Sequence, residues 1–180
     1  MRFSAALILL LLLPVHMMYA KGRHKGKWYG YAETGVMKEV DYFESYQLAL
    51  HAGAEYSANP LRSFGCELYL WQFIEKDINS TGVGLRPVIR HYMWRAAMYN
   101  IFLEVKGGVI LMTPAFPYGG TQFNFTLTGG LGGDIYLTER AKLLITAKYN
   151  HLSNWNITGE FNNPSWDGIG LTCGLMWRIR

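Results

Sequence analysis

Beyond its first twenty residues the chain has no apolar run approaching the roughly 20 residues that a membrane-spanning helix needs. A helical membrane anchor in the body of the protein is thereby excluded. Cysteine is scarce: Cys66 and Cys173 are too few for a disulfide framework, and both read as unpaired thiols. CxxC, HExxH and P-loop patterns are lacking, so no metal or nucleotide cofactor is expected. Charged residues make up only 17% of the chain. The net charge of +4 is spread thinly apart from Lys21, Arg23, Lys25 and Lys27, which read as a solvated terminus and argue against a nucleic-acid partner. Heptads, low-complexity tracts and internal repeats are also missing.

The opening MRFSAALILLLLLPVHMMYA places one Arg before an apolar core from Ala5 to Pro14 and closes on Ala20. This is the pattern of a secretory signal peptide, so residues 1–20 are expected to be removed and 21–180 to form the exported protein. About 160 residues suffice for one domain or one small barrel. Half of the chain is apolar, with 12 Tyr, 6 Trp and 20 Gly. An aromatic-rich, glycine-rich and only patchily hydrophobic composition suits a membrane β-barrel.

Strands of such a barrel alternate between lipid-facing and interior residues. Met98 to Met112 alternates in this way, with Tyr99, Ile101, Leu103, Val105, Val109 and Leu111 in the odd row and Asn100, Glu104 and Lys106 in the even row. Thr121 to Leu137 repeats the pattern, as do Arg140 to Ser153 and Gly168 to Arg180. Odd positions face outward in all four. Pro114, Pro117 and the Gly119–Gly120 pair make a loop between the first two of these segments. Earlier strands are expected at about Trp28 to Thr34, Glu44 to Ala54, Phe64 to Glu75 and Gly82 to Trp94, with Pro87 at a strand start or bulge. The total is an all-β, eight-stranded antiparallel transmembrane barrel, whose interior side chains just fill. A soluble sandwich or lipocalin-like carrier also alternates, but the charges in the interior rows favour the membrane barrel.

In a strand, His151 and Ser153 stand on one face about 7 Å apart between Cα atoms. They make a minimal base and nucleophile, which needs a third group to orient the imidazole and donors to hold an oxyanion. By itself this spacing is also that of two bystanders at a strand end. Arg90-His91 and His51 read as interior or rim residues without a catalytic role. The sequons at Asn79, Asn124 and Asn156 carry no weight in a bacterial protein.

The stretch His151-Leu152-Ser153-Asn154, a polar loop, Asn163-Pro164-Ser165-Trp166-Asp167 and a short terminal strand resembles the PagL-type lipid A 3-O-deacylase family. The resemblance covers residues 151–180 and draws support from Gly120-Thr121-Gln122-Phe123-Asn124-Phe125. It implies a bacterial outer-membrane barrel with its active site on the outer wall, acting on lipopolysaccharide. It further implies Ser153 as nucleophile, His151 as general base and then acid, Asp167 as the orienting acid, and Asn154 and Asn163 in or near the oxyanion hole. The chain departs from the family pattern in having Asp167 where Glu is usual, Trp155 where Gly follows the motif, and a longer loop.

Asp167 shares the outward parity of Ile169, and His151 that of Tyr149, which favours Asp167 over Glu160 as the acidic member. Glu160 reads as a solvated loop charge. Tyr149, Trp155 and Trp166 are candidates to line an acyl groove, although aromatic girdles occur at both rims of any such barrel. The expected activity is a serine esterase that removes an ester-linked acyl chain from lipid A. The alternatives are an inactive structural or adhesive barrel, to which the terminal Arg180 leaves room, and a phospholipase on the same scaffold. The sequence leaves homodimerisation open.

Overall fold

The computed structural model describes residues 25–41, 45–76, 79–157, 159 and 163–179; the signal-peptide assignment, Glu160 and Arg180 lie outside them. The strands are β1 (Lys27–Glu39), β2 (Tyr46–Asn59), β3 (Arg62–Ile74), β4 (Asn79–Arg95), β5 (Tyr99–Thr113), β6 (Phe123–Tyr136), β7 (Ala141–Ser153) and β8 (Trp166–Arg178). Each pairs antiparallel with the next, and β1 pairs with β8 to close the barrel. Closure leaves no edge unpaired among the described strands, which is the condition for crossing a bilayer with strands.

The expected alternation holds on the outer wall. Leu50, Leu68, Leu85, Leu111, Leu131, Leu171 and Leu175 are all about half exposed, a belt that water would not tolerate but lipid does. β1 runs five residues past its expected end at Thr34. Gly35, Lys38 and Glu39 break the apolar pattern there, while the ladder continues because Gly35 pairs with Ala49 on one side and Thr172 on the other. Pro87 stands in the middle of β4 and not at a start or bulge; the bulge falls at Tyr92/Trp94. Lacking an N–H, Pro87 interrupts the ladder toward β5 between Leu85 and Val88 without shifting its register.

The interior is layered. Met37, Tyr69, Trp71, Phe73, Ile110, Phe116, Leu152 and Trp166 pack one end, and Tyr29, Tyr31, Tyr92, Phe102, Leu144 and Met176 the other. Between them lie buried charges. Lys148 bridges Glu33 (2.9 Å) and Glu104 (3.0 Å), Lys106 meets Glu67 at 2.8 Å and Glu104 at 3.3 Å, and Arg90 meets Glu55 at 2.6 Å and Glu104 at 3.0 Å. Arg86 completes the layer against Glu67 at 2.7 Å. Such a filled, mutually neutralised lumen is a plug and not a pore.

Connections at one end, 60–61, 96–98 and 137–140, are short; those at the other, 40–45, 75–78, 114–122 and 154–165, include the two longest. The candidate residues sit at the long-loop end.

Candidate active site

β7 ends on Ser153 and β8 begins on Trp166, and their register sets His151 directly opposite Asp167. The two side chains therefore share the outer face. His151 Nδ1 lies 2.8 Å from Asp167 Oδ1, and His151 Nε2 lies 3.1 Å from Ser153 Oγ. The arrangement selects a tautomer: the carboxylate can only accept, so Nδ1 carries the proton and Nε2 is left as the acceptor for the Ser153 hydroxyl. This is the geometry that a proton relay to an activated serine requires. Both ring and carboxylate are mostly covered, at 21% and 16% side-chain exposure, which shields the pair from competing water. The Asp167 backbone is clamped on its other side too, where Val40 N–H donates to its carbonyl at 2.9 Å.

A fourth outward residue joins this set. Tyr149 O–H donates to Asp167 Oδ1, the same oxygen that faces His151. Sequence reading placed Tyr149 only as a groove lining. Parity puts Tyr149 on the same face as His151, but its place diagonal to Asp167, within an aromatic side chain's reach, comes from the β7–β8 register.

Asn163 and Asn154 are brought together, but with different roles. The Asn154 backbone N–H donates to Asn163 Oδ1 at 3.0 Å. A backbone amide can only donate, so the amide orientation of Asn163 follows. Asn154 is buried, and its own Oδ1 accepts from Asn156 N–H at 2.9 Å, so both its backbone N–H and its side-chain carbonyl are spent on the turn. The side-chain amide of either residue has the chemistry of an oxyanion donor.

The model of the lipid A 3-O-deacylase (PagL) family matches residues 16–176. The chain belongs to the lipid A 3-O-deacylase (PagL) family. A comparison with curated proteins gives no match. Among solved structures it is similar to Neisserial surface protein A (12% identity over 83% of this chain and 96% of that one, TM-score 0.64). It is also similar to the outer membrane enzyme PagL (14% identity, 81% and 97%, TM-score 0.59) and to OprG from Pseudomonas aeruginosa (11%, 87% and 98%, TM-score 0.54). Identities this low establish the shared outer-membrane barrel fold and no more.

Within this PagL-family chain, two aromatic expectations part company. Trp155 is 75% exposed and sets its ring edge-on, at 5.8 Å, to Phe125, the residue that pairs with Ser153. Its φ of 54° is in the left-handed region that favours glycine, the physical counterpart of the Gly-to-Trp departure noted in the sequence. Trp166, by contrast, lines no outer groove. It has even parity, is buried at 2% exposure, packs edge-on against Phe73 and donates through Nε1 to Ser45 Oγ at 2.7 Å.

The Trp166 indole lies along β8 over Gly168, where an added Cβ would come within 2.1 Å of Trp166 Cη2. Gly168→Ala should therefore push the ring away from the start of β8 and tilt Asp167 between its neighbours. A loss of about 1–3 kcal/mol in stability is expected, with a parallel fall in ester cleavage. Urea melts in detergent and turnover of the same preparations would check both; an unchanged melt would refute the packing argument.

Among the described residues one group has metal-ligand character: atoms of Glu33, His51 and Glu67 lie within 4.8 Å of one another. They lie in the buried layer and not on the outer wall. Lys148 and Lys106 hold Glu33, Lys106 and Arg86 hold Glu67, and His51 Nε2 accepts from Trp71 Nε1. A dication there would face Lys148, Lys106, Arg86 and Arg90, which already neutralise its ligands. Of the other histidines weighed in the sequence, His51 is interior, while His91 pairs with Leu103 on the outer face, away from the site.

Proposed function

We propose that this chain is an outer-membrane serine esterase that cleaves an ester-linked acyl chain from lipid A. The observation that carries the reading is the hydrogen-bonded Ser153–His151–Asp167 row on the outer wall of a PagL-family barrel. Polar residues on a lipid-facing wall are costly. They make sense where the substrate is the leaflet itself. Outer-membrane barrels turn their longer loops to the cell exterior, so the site at the long-loop end meets the outer leaflet, where lipopolysaccharide resides.

Ser153 Oγ attacks the acyl carbonyl carbon while His151 Nε2 takes its proton, and the developing imidazolium is stabilised by Asp167. Asn163 and Asn154, which the resemblance puts in or near the oxyanion hole, would supply the donors to the oxygen that becomes negative. On collapse of the tetrahedral intermediate His151 returns the proton to the departing sugar oxygen. That step releases the lipid A hydroxyl; water, deprotonated by His151, then attacks the acyl-serine, and His151 returns the proton to Ser153 Oγ as the free fatty acid leaves. Residues 1–20 belong to the same proposal as the export signal removed before the barrel assembles.

The test is mass spectrometry of lipid A from cells expressing the wild-type chain, alongside purified enzyme offered phosphatidylethanolamine. Loss of one hydroxyacyl mass from lipid A with the phospholipid intact is the expected result. Cleavage of the phospholipid alone would reassign the enzyme as a phospholipase, and no cleavage of either would leave an inactive barrel.

A further inference from the structure

Resting on the esterase reading, we infer that Tyr149 is a positioning residue that holds Asp167 in the orientation His151 requires. The geometry is specific. Tyr149 pairs with Ile169 and His151 with Asp167, so the phenol reaches diagonally across the β7–β8 ladder to the carboxylate. Among the described residues, both hydrogen bonds to that carboxylate fall on one oxygen, Oδ1. Tyr149 thereby fixes the rotation of the carboxyl group about its Cβ–Cγ bond.

The need for such a residue follows from where Asp167 stands. An ionised carboxylate on an apolar wall has little water to solvate it, and burying it without sufficient donors is expensive. With His151 as sole partner, and that bond lost each time the imidazole turns, Asp167 would rotate toward the headgroups to find water. Tyr149 supplies a fixed donor through the whole cycle, whether Ser153 is free or acylated. Asp is short, so the carboxyl group stays close to the strand and within the phenol's reach. The 46% exposed ring meanwhile presents its apolar face to lipid like its neighbours in the belt, so the hydroxyl is the part of Tyr149 with no place in a purely structural account.

Tyr149→Phe keeps the ring and deletes the donor. In detergent-solubilised full-length enzyme with lipid A as substrate, kcat is expected to fall about ten-fold, the loss of one charge-assisted hydrogen bond. KM should be unchanged, because Tyr149 acts through Asp167 and not on the acyl chain. Tyr149→Leu should show the same kcat loss. The deciding measurement is a double-mutant cycle with Asp167→Ala: once the carboxylate is gone, Tyr149→Phe has nothing to release and should cost nothing further.

Wild-type kcat in Tyr149→Phe, a loss confined to KM, or an undiminished Tyr149→Phe loss in the Asp167→Ala background would overturn the role of Tyr149. Serine-dependent activity of the parent enzyme would still stand in those cases. If the wild-type protein cleaves no lipid A at all, the functional reading fails first and this inference with it. Heat-modifiable mobility in unboiled gels checks that each variant is a folded barrel.

Discussion

Membranes carrying Ser153→Ala are expected to retain fully acylated lipid A, with turnover reduced on the order of 10³-fold or more. The replacement removes only the Oγ that stands 3.1 Å from His151 Nε2, and leaves the 2.8 Å His151–Asp167 contact in place. Ser153 is outward and partly exposed at the end of β7, so no interior contact is lost and barrel assembly should be untouched. His151→Ala should fall to a similar level, and the two together no lower than either alone. Members of a relay act as a unit, and their effects do not add. Multiplicative losses in the double variant, or substantial turnover by Ser153→Ala at matched membrane levels, would show that a different nucleophile does the work.

Much of this site was legible because the period of two carries far. Once the odd row of β7 is known to face lipid, His151 and Ser153 follow, and the same rule applied to Ile169 brings Asp167 to that face. Trp166 shows what happens when the rule is set aside: its even position puts it inside, whereas aromatic character alone suggested a groove. Parity does not yield register, which depends on how far each strand is sheared against its neighbour. Sequence therefore could not state that Tyr149 lies diagonal to Asp167, nor that Asn163 Oδ1 takes the Asn154 amide. Glu104 and Lys106, two neighbours of the even row, do pair at 3.3 Å, yet Lys106 also meets Glu67 and Glu33 from other strands. Those partners are 39 and 73 residues away in the chain. The fold class needed only local alternation, whereas the interior network needed the closed cylinder. Glycine and charge likewise hid the second half of β1, where closure and not composition keeps the ladder going.

The interior layer makes a prediction of comparable size and opposite kind. Arg90→Met should cost about 3–5 kcal/mol of barrel stability, the usual penalty for removing one partner from a buried ion cluster. Arg90 is fully buried and contacts Glu55, Glu104 and, at 3.9 Å, Glu33, with its guanidinium 4.7 Å from the Tyr31 ring centroid. Methionine fills most of the volume but leaves Glu55 without its cation, while Glu104 and Glu33 fall back on Lys106 and Lys148. Glu55 is thus the group stranded, which names the compensating change: adding Glu55→Gln should restore a large part of the loss, since a neutral amide no longer needs the guanidinium. Urea unfolding midpoints in detergent, read with heat-modifiable mobility, separate the cases. A single variant as stable as the parent would mean that the lumen is wet enough to solvate a lone carboxylate, and that the belt on the outer wall and the backbone ladder hold the barrel by themselves. A large loss recovered in the double variant would place the stability in charge pairing. The site residues on the outer wall would then be free to vary with the lipid they meet, because none of them belongs to the network that keeps the cylinder closed.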